Sequence, residues 1–155
     1  MKHTRRLILI SAAVLAADRV TKMLAPRIPE EGIVLIPGIL GLRYAENQGM
    51  AFSLLSGHPR LLGVLSLALI TAGVIWLRKK EFAVFPAMGL ALMLGGAAGN
   101  MLDRLIRGYV PDMIETLFVR FPVFNVADSC LTVGCVMMMI SLLFRPGDWQ
   151  RGKET

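Results

Sequence analysis

The sequence has little charge and few of the residues that carry out metal, thiol or serine chemistry. Only 18% of its 155 residues are charged, whereas about a quarter is usual for a soluble domain. The motifs HExxH, CxxC and GxSxG do not occur, and the two histidines, His3 and His58, form no ligand cluster. These absences leave zinc peptidases, thiol oxidoreductases and serine hydrolases without a starting motif. We therefore expect neither a metal nor an organic cofactor.

Cysteine is equally scarce. The two cysteines, Cys130 and Cys135, lie in one apolar run. Their spacing suits neither a disulfide nor a metal site, so we expect buried thiols that act as small hydrophobic groups.

Long apolar runs dominate the chain, which is 55% hydrophobic. Four runs are typical of membrane-spanning helices, at residues 7–25, 61–77, 82–102 and 127–144. They predict an all-α membrane protein that forms a single integral domain over residues 1–155, with outer connections at 26–60 and 103–126. Residues 33–36 and 40–44 favour short strands, which would form a small sheet on the outer membrane face. Asn47 and Gly49 suit a tight turn, after which residues 50–52 would return to the interface.

The basic residues predict the orientation of these spans. They are densest at residues 2–6, 78–80 and 145–153, and basic residues near span ends mark the cytoplasmic side. Both termini are therefore expected inside. The net charge of +6 fits this topology and anionic lipid, and no basic–aromatic motif indicates nucleic-acid binding. The N-terminus also has the pattern of a signal cleaved after Ala17. We favour an uncleaved helix, because the helical pattern continues through residues 19–25.

With both termini inside, the polar residues in or beside the apolar runs fall near the outer interface. They are Asp18, Lys22, Asn100, Asp103, Arg104, Asp112, Asn125 and Asp128. A transporter would place such groups near the membrane midplane, so this distribution predicts a site at one membrane surface.

Each of these groups also has a simpler interpretation. Asp18 and Lys22 could be a helix ion pair, residues 100–104 a helix end that reaches water, and Asp112 a turn residue. Asn125 and Asp128 could be a helix cap. A non-enzymatic membrane protein, such as a transporter subunit or lipid-binding scaffold, would use the charges as buried ion pairs. A further alternative is an intramembrane aspartic protease of the kind that carries a GxGD-type motif, but that motif is absent from the sequence.

Five motifs resemble those of the lipoprotein signal peptidase family, also called signal peptidase II, which are intramembrane aspartic proteases of bacteria. They occur in the family's order over nearly the whole chain: DRVTK (18–22), NQGMAF (47–52), GGAAGNMLDR (95–104), GYVPDMI (108–114) and FNVADS (124–129). One position departs from the pattern, since Met113 stands where the family commonly has Phe.

The resemblance implies that Asp112 and Asp128 are the catalytic pair. The residues that it implies as supporting the site or binding substrate are Asp18, Lys22, Asn47, Gly49, Asn100, Asp103, Arg104 and Asn125. It also implies a location in the bacterial inner membrane, in contact with membrane lipid. The implied substrates are prolipoproteins with diacylglyceryl on the lipobox cysteine, cut before that cysteine. Cyclic peptides such as globomycin are the implied inhibitors.

The chemistry of the two aspartates fits this function. Two carboxyl groups held close together share one proton, so that one can act as a base and the other as an acid. Asp128 follows Asn125 at the start of a predicted helix, where free N–H groups favour an anion. Asp112 lies in a connection with no such helix end, so we expect the shared proton mostly on Asp112.

Overall fold

The computed structural model of this chain describes residues 4–49, 57–77 and 82–149. Its four helices are α1 (Thr4–Leu24), α2 (Pro59–Leu77), α3 (Val84–Ile106) and α4 (Val126–Phe144). They follow the order of the four predicted runs. Helix α3 continues to Ile106, about four residues beyond the predicted third run. Residues 50–52 and the basic residues at 2, 78–80, 151 and 153 lie outside the described part of the chain.

Three of the described helices, α2, α3 and α4, are long and apolar enough to cross a membrane. The composition of α1 is less apolar, since it carries Arg5, Arg6, Asp18, Arg19 and Lys22. Length and composition therefore support three of the four predicted spans. The helices and the small sheet described below fit a membrane-integral protein.

Helix α3 lies at the centre and contacts the other three helices. Small residues let its neighbours approach closely, as is common between membrane helices. A Cβ added at Gly96 would lie 2.5 Å from the Ala127 carbonyl oxygen, and Ser11 on α1 donates a hydrogen bond to the carbonyl of Ala91 at 2.9 Å. This close packing brings the polar ends of α1, α3 and α4 together.

A three-stranded antiparallel sheet lies beside these ends, with strands in the order β1 (Ile33–Ile36), β2 (Leu40–Asn47) and β3 (Val110–Thr116). Strand β1 has the predicted bounds, and β2 continues to Asn47. Strand β3 was not predicted, and the simpler interpretation of Asp112 as a turn residue is wrong. Asp112 is instead paired with Ala45 in the sheet.

Both cysteines on α4 are free thiols. Cys130 is half-buried and Cys135 is exposed. The expectation of two buried thiols is therefore wrong for Cys135, whose side chain is exposed on the surface of the helix bundle.

Candidate active site

Asp112 on β3 and Asp128 in the first turn of α4 are joined through Asn125. The Asn125 Nδ2 donates to Asp112 Oδ1 at 2.6 Å, while its Oδ1 accepts from the backbone N–H of Asp128 at 2.9 Å. The backbone N–H of Asn125 donates in return to Asp128 Oδ2 at 3.3 Å. The simpler interpretation of Asn125 and Asp128 as a helix cap is thus confirmed. The same capping residue also holds Asp112.

Two further asparagines donate to this carboxyl pair. Asn47, at the end of β2, donates from Nδ2 to Asp112 Oδ2 at 3.1 Å. Asn100, on α3, donates from Nδ2 to Asp128 Oδ1 at 2.7 Å. Each carboxyl group therefore accepts hydrogen bonds at both oxygens, an environment that stabilises negative charge.

A second group fixes the orientation of each asparagine amide. The Asn47 Oδ1 accepts from the backbone N–H of Gly49 at 3.0 Å, which is the tight turn expected there. The Asn100 Oδ1 accepts from the Lys22 ammonium at 2.7 Å, and the Asn125 Oδ1 is held by the helix cap. Because each amide oxygen is occupied, each amide nitrogen is directed towards a carboxylate.

Burial also acts on the protonation of Asp112, which is only 2% exposed. The pKa of Asp112 is raised to about 6, mainly by loss of solvent and also by the nearby Asp128 carboxylate. The hydrogen bonds from Asn125 and Asn47, with the charge of Lys22, lower this pKa and so limit the rise. Asp112 is therefore a carboxyl group that can exchange a proton near neutral pH.

Behind the carboxyl pair lies a group of buried charges, which we call the charge cluster: Asp18, Arg19 and Lys22 of α1 with Asp103 of α3. The predicted helix ion pair is confirmed, since Lys22 Nζ lies 3.0 Å from Asp18 Oδ2. Lys22 also lies 2.8 Å from Asp103 Oδ2. The Asp18 Oδ1 accepts from the backbone N–H of Ala127 at 3.2 Å, which ties the cluster to the start of α4.

Arg19 was not predicted as a site residue, yet it binds both carboxylates of the cluster. A charged residue inside an apolar run was the available signal, because such a residue is costly unless it is paired. Its main partner, Asp103, is distant in sequence, so no local pattern connects the two.

An open cavity of about 520 Å³ adjoins the carboxyl pair. Its polar lining includes Asn47, Arg104 and Asp128, and its apolar lining includes residues 121–124 and Leu131. Arg104 donates to the carbonyl of Gly49 at 2.9 Å. The structure thus brings all ten predicted site residues into one region, where Asp128 lines an apolar cavity and Asn125 joins it to the buried Asp112.

Comparison with known proteins assigns the family. A family model described as signal peptidase (SPase) II matches residues 10–144. The chain belongs to the signal peptidase II family. Its relatives include the lipoprotein signal peptidase of Lactobacillus gasseri, 40% identical over 93% of this chain and 97% of the relative. The lipoprotein signal peptidase of Chlorobaculum tepidum is 43% identical over 86% of this chain and 90% of the relative.

A solved structure supports the same assignment. It is described as a bacterial membrane enzyme determined by the in meso method at 2.3 Å resolution. Its TM-score is 0.84 at 31% identity, over 98% of this chain and 94% of that chain. As a member of the signal peptidase II family, the protein is a protease that processes prolipoproteins. The alternative of a non-enzymatic transporter subunit or scaffold is therefore wrong.

Proposed function

We propose that this signal peptidase II is an aspartic endopeptidase that cuts diacylglyceryl-modified prolipoproteins before the lipidated cysteine of the lipobox. The observation that carries this proposal is the convergence of three anchored asparagine amides on Asp112 and Asp128. The arrangement suits two carboxyl groups that together hold one proton and one negative charge. Asp112 and Asp128 are the catalytic residues in this proposal.

The two carboxyl groups divide the acid and base roles. Asp128 is the ionised base, because its position at the start of α4 and its bonds from Asn100 and Asn125 favour an anion. It takes a proton from water as the water oxygen attacks the scissile carbonyl carbon. Asp112, with a pKa of about 6, carries the shared proton and transfers it to the carbonyl oxygen.

Breakdown of the tetrahedral intermediate restores the starting state. Asp128 gives the proton taken from water to the leaving nitrogen, and the C–N bond breaks. Asp112 recovers a proton from a hydroxyl group of the intermediate as the new carboxylic acid forms. Each carboxyl group thus ends with the charge with which it began.

The surroundings of the pair suit a lipid-bearing peptide. The cavity beside Asp128 is lined mainly by apolar side chains, among them Phe121, Phe124 and Leu131. An apolar cavity next to a hydrogen-bonded carboxyl pair can accommodate an apolar segment of substrate while the scissile peptide reaches the acid and base. The diacylglyceryl chains would remain in the bilayer and orient the peptide at the interface.

The proposed topology places this site on the extracytoplasmic side of the bacterial inner membrane. All four helices span the bilayer in this topology, with both termini in the cytoplasm. Asp18 and Lys22 of α1 are fully buried and Lys22 contacts Asp103 of α3, so these two charges face protein rather than lipid. This burial supports α1 as a fourth span.

The test is cleavage of a purified prolipoprotein that carries diacylglyceryl-cysteine, in detergent, by the wild type and by D112N and D128N. Each Asn variant should lose at least about a thousandfold in kcat, because one proton-transfer group is gone. The matched control is E115Q, which removes a carboxylate from the same strand. The Glu115 carboxylate lies 2.8 Å from the Arg43 guanidinium. E115Q should retain activity.

A second arm uses the same prolipoprotein without its lipid, which should be cut poorly. Near-normal cleavage by either Asn variant would contradict the catalytic assignment. Equal turnover of the lipid-free substrate would contradict the proposed specificity.

A further inference from the structure

Arg19 makes the densest set of polar contacts within the charge cluster. Its NH1 donates to Asp103 Oδ1 at 2.7 Å and its NH2 donates to the second oxygen of the same carboxylate. That NH2 also donates to Asp18 Oδ2 and to the Gly99 carbonyl, each at 3.0 Å. A planar guanidinium can bind a carboxylate through two nitrogens, which an ammonium group cannot do.

Lys22 occupies the space between this cluster and the carboxyl pair. Its ammonium has three N–H donors and three acceptors: Asp18 Oδ2 at 3.0 Å, Asp103 Oδ2 at 2.8 Å and Asn100 Oδ1 at 2.7 Å. The third contact is the one that directs the Asn100 amide towards Asp128. Lys22 therefore joins the two groups of charges.

The formal charges of the cluster balance because Arg19 is present. Asp18 and Asp103 carry two negative charges, and Lys22 and Arg19 carry two positive ones. Asp18, Lys22 and Asp103 are all fully buried, whereas the Arg19 side chain is 28% exposed, so water can compensate only in part for a missing charge there. Without Arg19, only Lys22 and the longer contact from Arg107 to Asp103, at 3.5 Å, would offset the two carboxylates. The positive charge that balances the cluster beside Asn100 would then be weaker.

We propose that Arg19 is a positioning residue of the active site. It neutralises the second carboxylate of the cluster, so that Lys22 keeps one N–H for Asn100 and Asn100 keeps Asp128 in its ionised form. This inference rests on the proposed function of Asp112 and Asp128. It assigns a role to a residue on the far side of Lys22 that touches neither catalytic carboxyl group.

Arg107 provides an internal comparison. It also approaches Asp103, with its Nε 3.5 Å from Oδ1, but it makes a single longer contact at the edge of the cluster. A change from Arg to Gln removes the same formal charge at either position. Only the change at position 19 also removes the contacts to Asp18 and to Asp103 Oδ2, the oxygen that Lys22 contacts as well.

Among the residues that the structure describes, few charged groups face the carboxyl pair. Helix α1 contributes Lys22, and α3 contributes Arg104, which interacts electrostatically with both carboxyl groups. Strand β2 contributes the uncharged Asn47, while the Glu46 carboxylate of that strand is exposed and accepts from Tyr44. An added negative charge behind Lys22 would therefore favour protonation of the pair.

The experiment compares pH–rate profiles of the wild type, R19Q, R19K and R107Q with the lipid-modified prolipoprotein. In R19Q the acid limb should move up by about 0.5 pH unit or more. Its kcat should fall about tenfold or more while KM changes little, because Arg19 does not line the cavity beside Asp128. R19K retains the charge, so its acid limb should stay with that of the wild type, and R107Q should match the wild type in both respects.

A purely structural role for Arg19 would give a different result. In that case a folded R19Q would lose activity without any movement of the acid limb of its pH–rate profile, which would overturn the proposal. Equal movement in R19Q and R107Q would also overturn it, because the effect would then be general electrostatics. If R19Q does not fold, D103N supplies the opposite charge change and should move the acid limb down. An unmoved limb in D103N would refute the proposal in that case.

Infrared titration of the carboxyl stretch separates this inference from the proposed function. The titration midpoint of the pair should rise in R19Q whether or not the protein cleaves the substrate. An unchanged midpoint in R19Q alongside wild-type cleavage would reject the role of Arg19 alone. A raised midpoint in a protein whose D112N variant still cleaves would reject the catalytic assignment alone.

Discussion

The stability of the D112N variant relative to the wild type should increase as the pH rises from acid to neutral. Burial raises the pKa of Asp112 to about 6 from an ordinary value of 3.8. At a pH between these two pKa values, Asp112 of the folded protein retains a proton that the unfolded chain has released. The wild type therefore loses stability as pH rises through this window, and the loss totals about 3 kcal/mol. The amide that D112N introduces has no proton to lose.

The measurement is thermal unfolding of the wild type, D112N and E115Q in one detergent from pH 4 to pH 8. The difference in Tm between D112N and the wild type should increase by about 6 °C or more over this range. A constant offset is also expected, because the Asn47 amide nitrogen that donates to Asp112 Oδ2 would face a second amide. Only the slope with pH tests the reasoning.

E115Q controls for the loss of one negative charge from β3. Glu115 lies on the same strand and pairs with Arg43 rather than with the carboxyl pair, so a gain in Tm that also appears in E115Q would not come from Asp112. Parallel curves for D112N and the wild type would refute the idea that burial holds a proton on Asp112. They would also remove the basis for its role as the acid.

The remaining predictions concern packing and topology. Gly134→Ala should destabilise the α3–α4 contact by about 1–3 kcal/mol, because the added Cβ would lie 2.6 Å from the Gly89 carbonyl oxygen. Gly73→Ala on α2 has no atom within 4 Å of the new Cβ and should be neutral or slightly stabilising; equal Tm values for the two variants would contradict the packing. Reporter fusions after Lys80 and Thr155 should signal cytoplasm and fusions near Glu30 and Arg120 the outside, whereas an outside signal at Lys80 would reverse the topology.

The parts of the site that follow from local sequence were predictable. Asp18 and Lys22 are four residues apart on one helix, so their contact follows from helical geometry. Asn125 and Asp128 form a cap whose residue types and spacing are visible in the sequence. The apolar runs gave the helices within a few residues, because their length and composition reflect the membrane rather than distant contacts.

The contacts between distant segments were not predictable from pattern. Strand β3 contains Pro111, Asp112 and Glu115, which are rare in strands, and its pairing with β2 gives it the extended conformation. Arg19 is bound by Asp103, which lies on another helix. Neither relation leaves a periodic signal in the sequence. The family resemblance predicted Asp112 as a site residue but gave no indication that a strand positions it.

An irregularity in β2 determines that Asn47 reaches Asp112. Near one end of the sheet Leu42 pairs with Ile114, and at that register Asp112 would stand opposite Tyr44. Side chains alternate between the faces of a strand, so Asn47 would then point to the face opposite Asp112. The register shift between Leu42 and Ala45 pairs Asp112 with Ala45 instead, and Asn47, two residues further on, shares its face. One extra residue in β2, the central strand of the sheet, thus allows the Asn47 amide to donate to the second oxygen of Asp112.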